Sequence, residues 1–186
     1  MELQHVNIKI FVDGDLRVDL QQVVDVFHRW IAEQAMDELL IDVADYRHVP
    51  AGPGVVIVGH EADYSLDNAG NRQGLLYNRK MPISGSNADR FNQAFAAAVK
   101  ACNLLENEFA GKLRFNRQEF ELLVNDRCLA PNTVETLEAC KPEIEAFLDS
   151  LGQTNAVVAH DTNGRRRFSV NVALNSPLDF GVVLSS

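Results

Sequence analysis

The strongest periodic signal in the chain is an apolar stripe: Phe91, Phe95, Ala98, Cys102, Leu105 and Phe109 recur every three or four residues. That spacing belongs to an amphipathic helix and predicts one over about 87–109, capped by Ser86 and ended near Gly111. Such a helix must lay its apolar side on a second layer. It also splits the chain into two stretches whose elements come in the same order, and this order sets the expected fold class.

In the first stretch Val6, Ile8, Ile10 and Val12 alternate with His5, Asn7, Lys9 and Phe11, the period of a half-buried strand. Asp13-Gly-Asp15 turns the chain, and Asp19 with Gln22 has capping-box spacing ahead of an apolar stripe through Leu20, Val24, Phe27 and Ile31. Strands are expected at 38–46, 55–65 and 74–79, the first two joined by Pro50-Ala-Gly-Pro-Gly54. The second stretch gives a strand through Phe120, Leu122 and Val124, then a helix toward Leu151 with Asn132 and Glu135 as its box and a kink at Pro142. Runs at 156–159, 168–172 and 178–184 complete three more strands, the first two joined by an Asn163-Gly164 turn.

The expected fold is therefore α+β: antiparallel or mixed sheets with helices on one face, built as two βαβββ units joined by a central helix. Residues 1–82 form the first unit, 83–112 the connecting helix and 113–186 the second unit, packed as one compact globular domain with the pattern of an internal duplication. Ile8, Ile10, Val12, Ile41 and Val43 should face the helices. If His5, Asn7 and Lys9 share the other face with Asp42, Tyr46, Glu61, Asp63, Tyr77 and Arg79, four strands assemble a polar surface; a one-residue bulge would reverse any of these facings.

The stretch 42–77 is where chemistry concentrates. It holds all three tyrosines, His48, His60 and the acids Asp42, Asp45, Glu61, Asp63 and Asp67. Ionisable groups on apolar strands need partners, ligands or solvent. His60, Glu61 and Asp63 are the candidate acid–base or metal-assisted catalytic set. On a continuous strand, however, His60 faces away from the two acids, so no metal site is assigned. His48, Asp42, Tyr46, Tyr64, Tyr77 and Arg79 are the candidate ligand-binding set, the phenols and Trp30 suiting a cavity wall or a self-association surface.

Composition narrows the partners. A net charge of -9 argues against nucleic acid or an anionic membrane, which need clustered Lys and Arg; the one basic run, Arg165-Arg166-Arg167, reads as a hairpin shoulder. No apolar run approaches the ~18 residues of a membrane span and no secretory pattern opens the chain. Three cysteines without CxxC spacing support neither a disulfide framework nor a zinc ribbon, and fit a reducing cytoplasmic setting. No G-x-S-x-G, G-x-G-x-x-G or P-loop motif occurs, so the sequence specifies no cofactor.

The order of elements is similar to the paired-module arrangement of vicinal-oxygen-chelate proteins, whose modules curl into cups with metal ligands on their first and last strands. His5 stands at the corresponding place in the first unit; the second offers Glu119 or Glu121, and the helix at 87–109 departs from that plan. The favoured expectation is a protein that binds a small polar molecule or a partner subunit through the sheet face and loop around 42–79, as a homo-oligomer with Phe11 and Tyr77 in the interface. The alternative is an enzyme centred on His60, Glu61 and Asp63.

Overall fold

A computed structural model describes residues 1–185; Ser186, the last residue of the second unit, lies outside the described residues. Strand β1 (Val6–Val12) leads into α1 (Leu20–Glu33), then β2 (Leu40–Tyr46), β3 (Gly54–Gly59), β4 (Ala62–Asp67) and β5 (Gly74–Arg79). Helix α2 (Asn87–Glu108) follows, then β6 (Phe115–Val124), α3 (Val134–Ser150), β7 (Val157–His160), β8 (Phe168–Ala173) and α4 (Phe180–Ser185). The α+β class is as the sequence implies. All strands join one antiparallel eight-stranded sheet in the order β2-β3-β4-β5-β1-β6-β8-β7.

The two units meet where β1 pairs with β6, with Ile8 opposite Leu122. In each unit the last strand returns beside the first: β5 on β1, β8 on β6. The sheet is thus open and continuous rather than two cups. Two local expectations change. The run 55–65 is not one strand but the hairpin β3–β4, turning at His60-Glu61, and 178–184 is not a strand but a bend leading into α4. The first unit therefore has one strand more than expected, and the second ends in a helix.

Helix starts follow their caps. The Asp19 carboxylate accepts from the Gln21 amide at 2.9 Å, with Gln22 bonding the Asp19 carbonyl instead of closing a box. Ser86 and Asp89 cap each other reciprocally at α2. At α3 the cap is Thr133, not Asn132, and the helix runs through Pro142 unbroken. Asn132 is used elsewhere: its amide donates to the carbonyls of Asp161 and Asn163 and its oxygen meets His160 Nε2 at 2.7 Å.

The core lies between the sheet and the helices. One cross-strand row runs Val43, Ile57, Tyr64, Tyr77, Ile8, Leu122 and Val170, and the next includes Val55, Leu66, Leu75, Ile10, Phe120 and Val172. Onto these rows α2 brings Phe91 and Phe95 and α3 brings Phe147; Phe95 lies 5.0 Å from Phe120 and 5.6 Å from Phe147 between ring centroids. Each such pair adds about 0.5–1.5 kcal/mol beyond burial. Ile41, expected inside, is 53% exposed because a bulge between Leu40 and Asp42 resets the facing of β2.

Candidate functional site: the helix-free sheet face

The expected cluster divides between two faces and a turn. His60 and Glu61 stand in the β3–β4 turn, with His60 exposed and its Nδ1 3.3 Å from a Glu61 oxygen. Glu61 also accepts from the Leu39 amide at 3.3 Å. Desolvation raises its carboxyl, but hydrogen bonds from its own amide, His60 and Leu39 outweigh that and hold it below the usual range. A lowered carboxyl is a poor proton donor at neutral pH. Asp63 lies on the helix-free face, accepting from the Gly59 amide at 3.2 Å and pairing with Lys80 at 2.7 Å.

His48 sits in the exposed loop at the other end of the β2–β3 hairpin. Seven-residue β2 separates it from His60 by about 20 Å at ~3.3 Å per residue. The two histidines therefore cannot share a ligand. Among the described residues no group of three or more His, Cys, Asp or Glu is placed to hold a metal. Asp42 and Tyr46 are exposed on edge strand β2, where the Asp42 carboxylate accepts from the Val43 amide at 2.8 Å. That bond occupies a donor which an edge would otherwise offer to another strand.

Tyr64 and Tyr77 face the helices, not the open side. Both are fully buried and lie 5.1 Å apart between centroids. Their hydroxyls donate to Glu38, itself buried, at 2.5 and 3.1 Å, and Gln93 Nε2 donates to the Tyr77 oxygen at 2.8 Å. Burial first, then the Glu38 carboxylate, pushes the Tyr77 phenol up to about 12 and Tyr64 higher still. The groups are mutually satisfied, so the cluster ties the α1–β2 connection to the sheet. Arg79 turns aside, its Nε donating to the Met81 carbonyl at 2.8 Å while its amide donates to Asn7 Oδ1 at 3.0 Å. Phe11 lies on the open face as expected; Tyr77 does not.

What the topology does assemble is the face without helices. One row crosses it as Val56, Ser65, Leu76, Lys9, Glu121 and Asn171, and its neighbour as Val58, Asp63, Asn78, Asn7, Leu123 and Ser169. Lys9, 3% exposed, forms an ion pair with the equally buried Asp67 and donates to the Ala69 carbonyl at 3.2 Å. Arg72 stacks 3.6 Å from the Phe11 centroid and grips Glu119 with two bonds of 2.9 Å. The loop before β8 brings Arg166 to 3.7 Å from Glu121 and 2.7 Å from Asp161. Burial lowers the neighbouring Arg167 guanidinium against the pull of Glu121 and Asp67. The basic run thus answers carboxylates of its own chain. Asn7 Nδ2 donates to Asn78 Oδ1 at 2.8 Å, while the buried Ser169 hydroxyl has no partner among the described residues.

The alternation of β1 made Asn7 and Lys9 legible as members of this face. The pairing of Glu121 with Arg166 carried no local signal, because the two stand more than forty positions apart. No protein-family model matches the chain, and no curated protein matches it in sequence. Among the described residues no helix is long and apolar enough to cross a membrane.

Proposed function

We propose that this chain acts by binding rather than by catalysis, and that the helix-free sheet face docks a second copy. The observation that carries this reading is that the ionic groups of the face are already paired: Lys9 with Asp67, Lys80 with Asp63, Arg72 with Glu119 and Arg166 with Glu121. In a chain of net charge -9, that face is close to neutral. Pre-paired charges lower the cost of removing water from a surface. Between them lie half-buried Val56, Val58 and Leu76, apolar contacts a partner would complete.

The part of the face still open to a partner lies around half-buried Val56, Val58 and Leu76, because Asn7, Lys9, Ser65, Glu121, Leu123 and Ser169 are already buried within the chain. A self-complementary contact needs both signs of charge on one patch, and this face has them. Against the small-ligand and acid–base readings of 42–79 stands the placement of their side chains: His48 and His60 lie at opposite ends of β3, and Tyr64 and Tyr77 face the helices.

Light scattering coupled to size exclusion tests the proposal with Leu76→Glu and Val58→Glu, both on the open face and clear of the core. The expected result is a dimeric wild type and monomeric variants that still unfold cooperatively, lower in melting temperature only by the association they have lost. A wild type that stays monomeric at high concentration, or variants that remain dimeric, would overturn it.

A further inference from the structure

A groove of about 460 Å³ between α1 and the end of α2 is lined by Asp25, Arg29, Glu108 and Lys112 among others, but a second cavity is of different character. It lies between α2, the end of α3 and the segment entering α4, with a volume of 660 Å³, inside the ~300–1,000 Å³ range of small-molecule sites. Buried Phe95 lines it together with Ala96, Leu151, Leu178 and Val183. Polar groups at its margin include Asn92 and Ser150, and among the described residues Asp179 is the one charged side chain lining it.

The wall formed by 176–183 is held at both ends. On one side, buried Gln153 donates to the Ser176 hydroxyl at 3.0 Å and carbonyl at 3.3 Å and accepts from its amide at 3.3 Å. On the other, Phe180, 4% exposed, lies under the Arg117 guanidinium at 3.4 Å. Between these anchors the Leu178 amide donates to the Arg117 carbonyl at 2.9 Å, and Leu178 and Asp179 line the cavity. Asp179 Oδ1 accepts from the Gly181 amide at 2.8 Å, which orients its carboxylate. A wall fixed from behind does not need to be ordered by a ligand.

We propose that this cavity binds a compact apolar molecule, about one fused aromatic ring system in size, bearing a cationic group. The apolar part would lie against Phe95, Leu151 and Leu178, and the cation would meet Asp179 at the rim. Among the described residues no cation lines the cavity to hold an anion, and the net charge of -9 disfavours one further.

Three isosteric probes decide the matter by calorimetry and tryptophan-independent fluorescence of the probe: naphthylmethylamine, naphthylmethanol and naphthoic acid. The expected result is saturable one-to-one binding of the amine, weaker binding of the alcohol and none of the acid. Asp179→Asn, which keeps the acceptor for Gly181, should reduce the preference for amine over alcohol about three- to fivefold, as for an exposed charge pair. Ala96→Trp should fill the cavity and abolish binding; Val183→Trp serves the same purpose if the first variant does not fold by circular dichroism. No saturable binding of the amine, equal binding of all three probes, or binding unaltered in both folded tryptophan variants would overturn the proposal.

Discussion

Lys9→Met is the most informative single change, because it removes a charge from the middle of the helix-free face while keeping the side chain's length. The lysine and Asp67 side chains are only 4% and 5% exposed, so neither can fall back on water. Without Lys9 the carboxylate keeps the Ala69 amide at 3.2 Å and the more distant pull of Arg167. Breaking a buried pair in this way costs about 3–5 kcal/mol, against about 0–1 kcal/mol for an exposed pair. With a urea slope of ~2 kcal/mol per molar, the midpoint should fall by about 1.5–2.5 M. Replacing both partners removes the orphaned charge, so Lys9→Met/Asp67→Leu should return to within about 1 kcal/mol of wild type. The coupling energy from the four urea curves should then be at least ~2 kcal/mol. A single substitution costing under 1 kcal/mol, or a double variant that merely sums the singles, would refute the reasoning. Lys9→Met should also weaken self-association, since it leaves the face with an unbalanced negative charge.

Other consequences are as direct. Glu38→Leu strands the buried Tyr64 phenol and leaves Tyr77 with Gln93 alone, and should cost about 1–3 kcal/mol by thermal or urea unfolding, with Glu38→Gln costing less; recovery in Glu38→Leu/Tyr64→Phe would confirm the cause, and an undiminished loss would deny it. Both phenols titrate higher folded than unfolded, so their contribution is whole below pH ~10 and drains as the pH rises toward 12, about 2–3 kcal/mol for Tyr77 alone. Tyr77→Phe should flatten that decline, and an unchanged slope would contradict it. Of the three thiols, Cys128 is exposed, whereas burial pushes Cys140 up to about 11 and Cys102 well above its ordinary value. One thiol per native chain should react promptly with Ellman's reagent and all three after unfolding; prompt reaction of all three in the native chain would be the contrary outcome.

What was legible in the sequence was whatever a single element writes into its own period. The alternation of β1 placed Ile8 and Ile10 against the helices and Asn7 and Lys9 opposite, and the stripe of α2 gave its buried side. Failures came where punctuation was weak. Val55–Val58 flows into Ala62–Tyr64 with only Gly59 to mark the turn, yet a Cβ there would lie 2.3 Å from the Ala62 carbonyl oxygen. Reading through that glycine put His60 and Glu61 on a strand and made them look like site residues. The run Leu178–Leu184 is too short for its apolar pattern to separate strand from helix, and the Asp179 bond to Gly181 favours a helical start. Across elements nothing local speaks: Glu38 meets phenols 26 and 39 positions onward, and only tertiary packing joins them.

Isotope-filtered NOE spectra of a mixture of labelled and unlabelled chains test the account at its centre. Cross-peaks between copies should appear at the methyl groups of Leu76, Val56 and Val58, with none at the helix-side methyls of Ile8 or Val170. Contacts between copies made through the helices, or none at all at millimolar concentration, would contradict it.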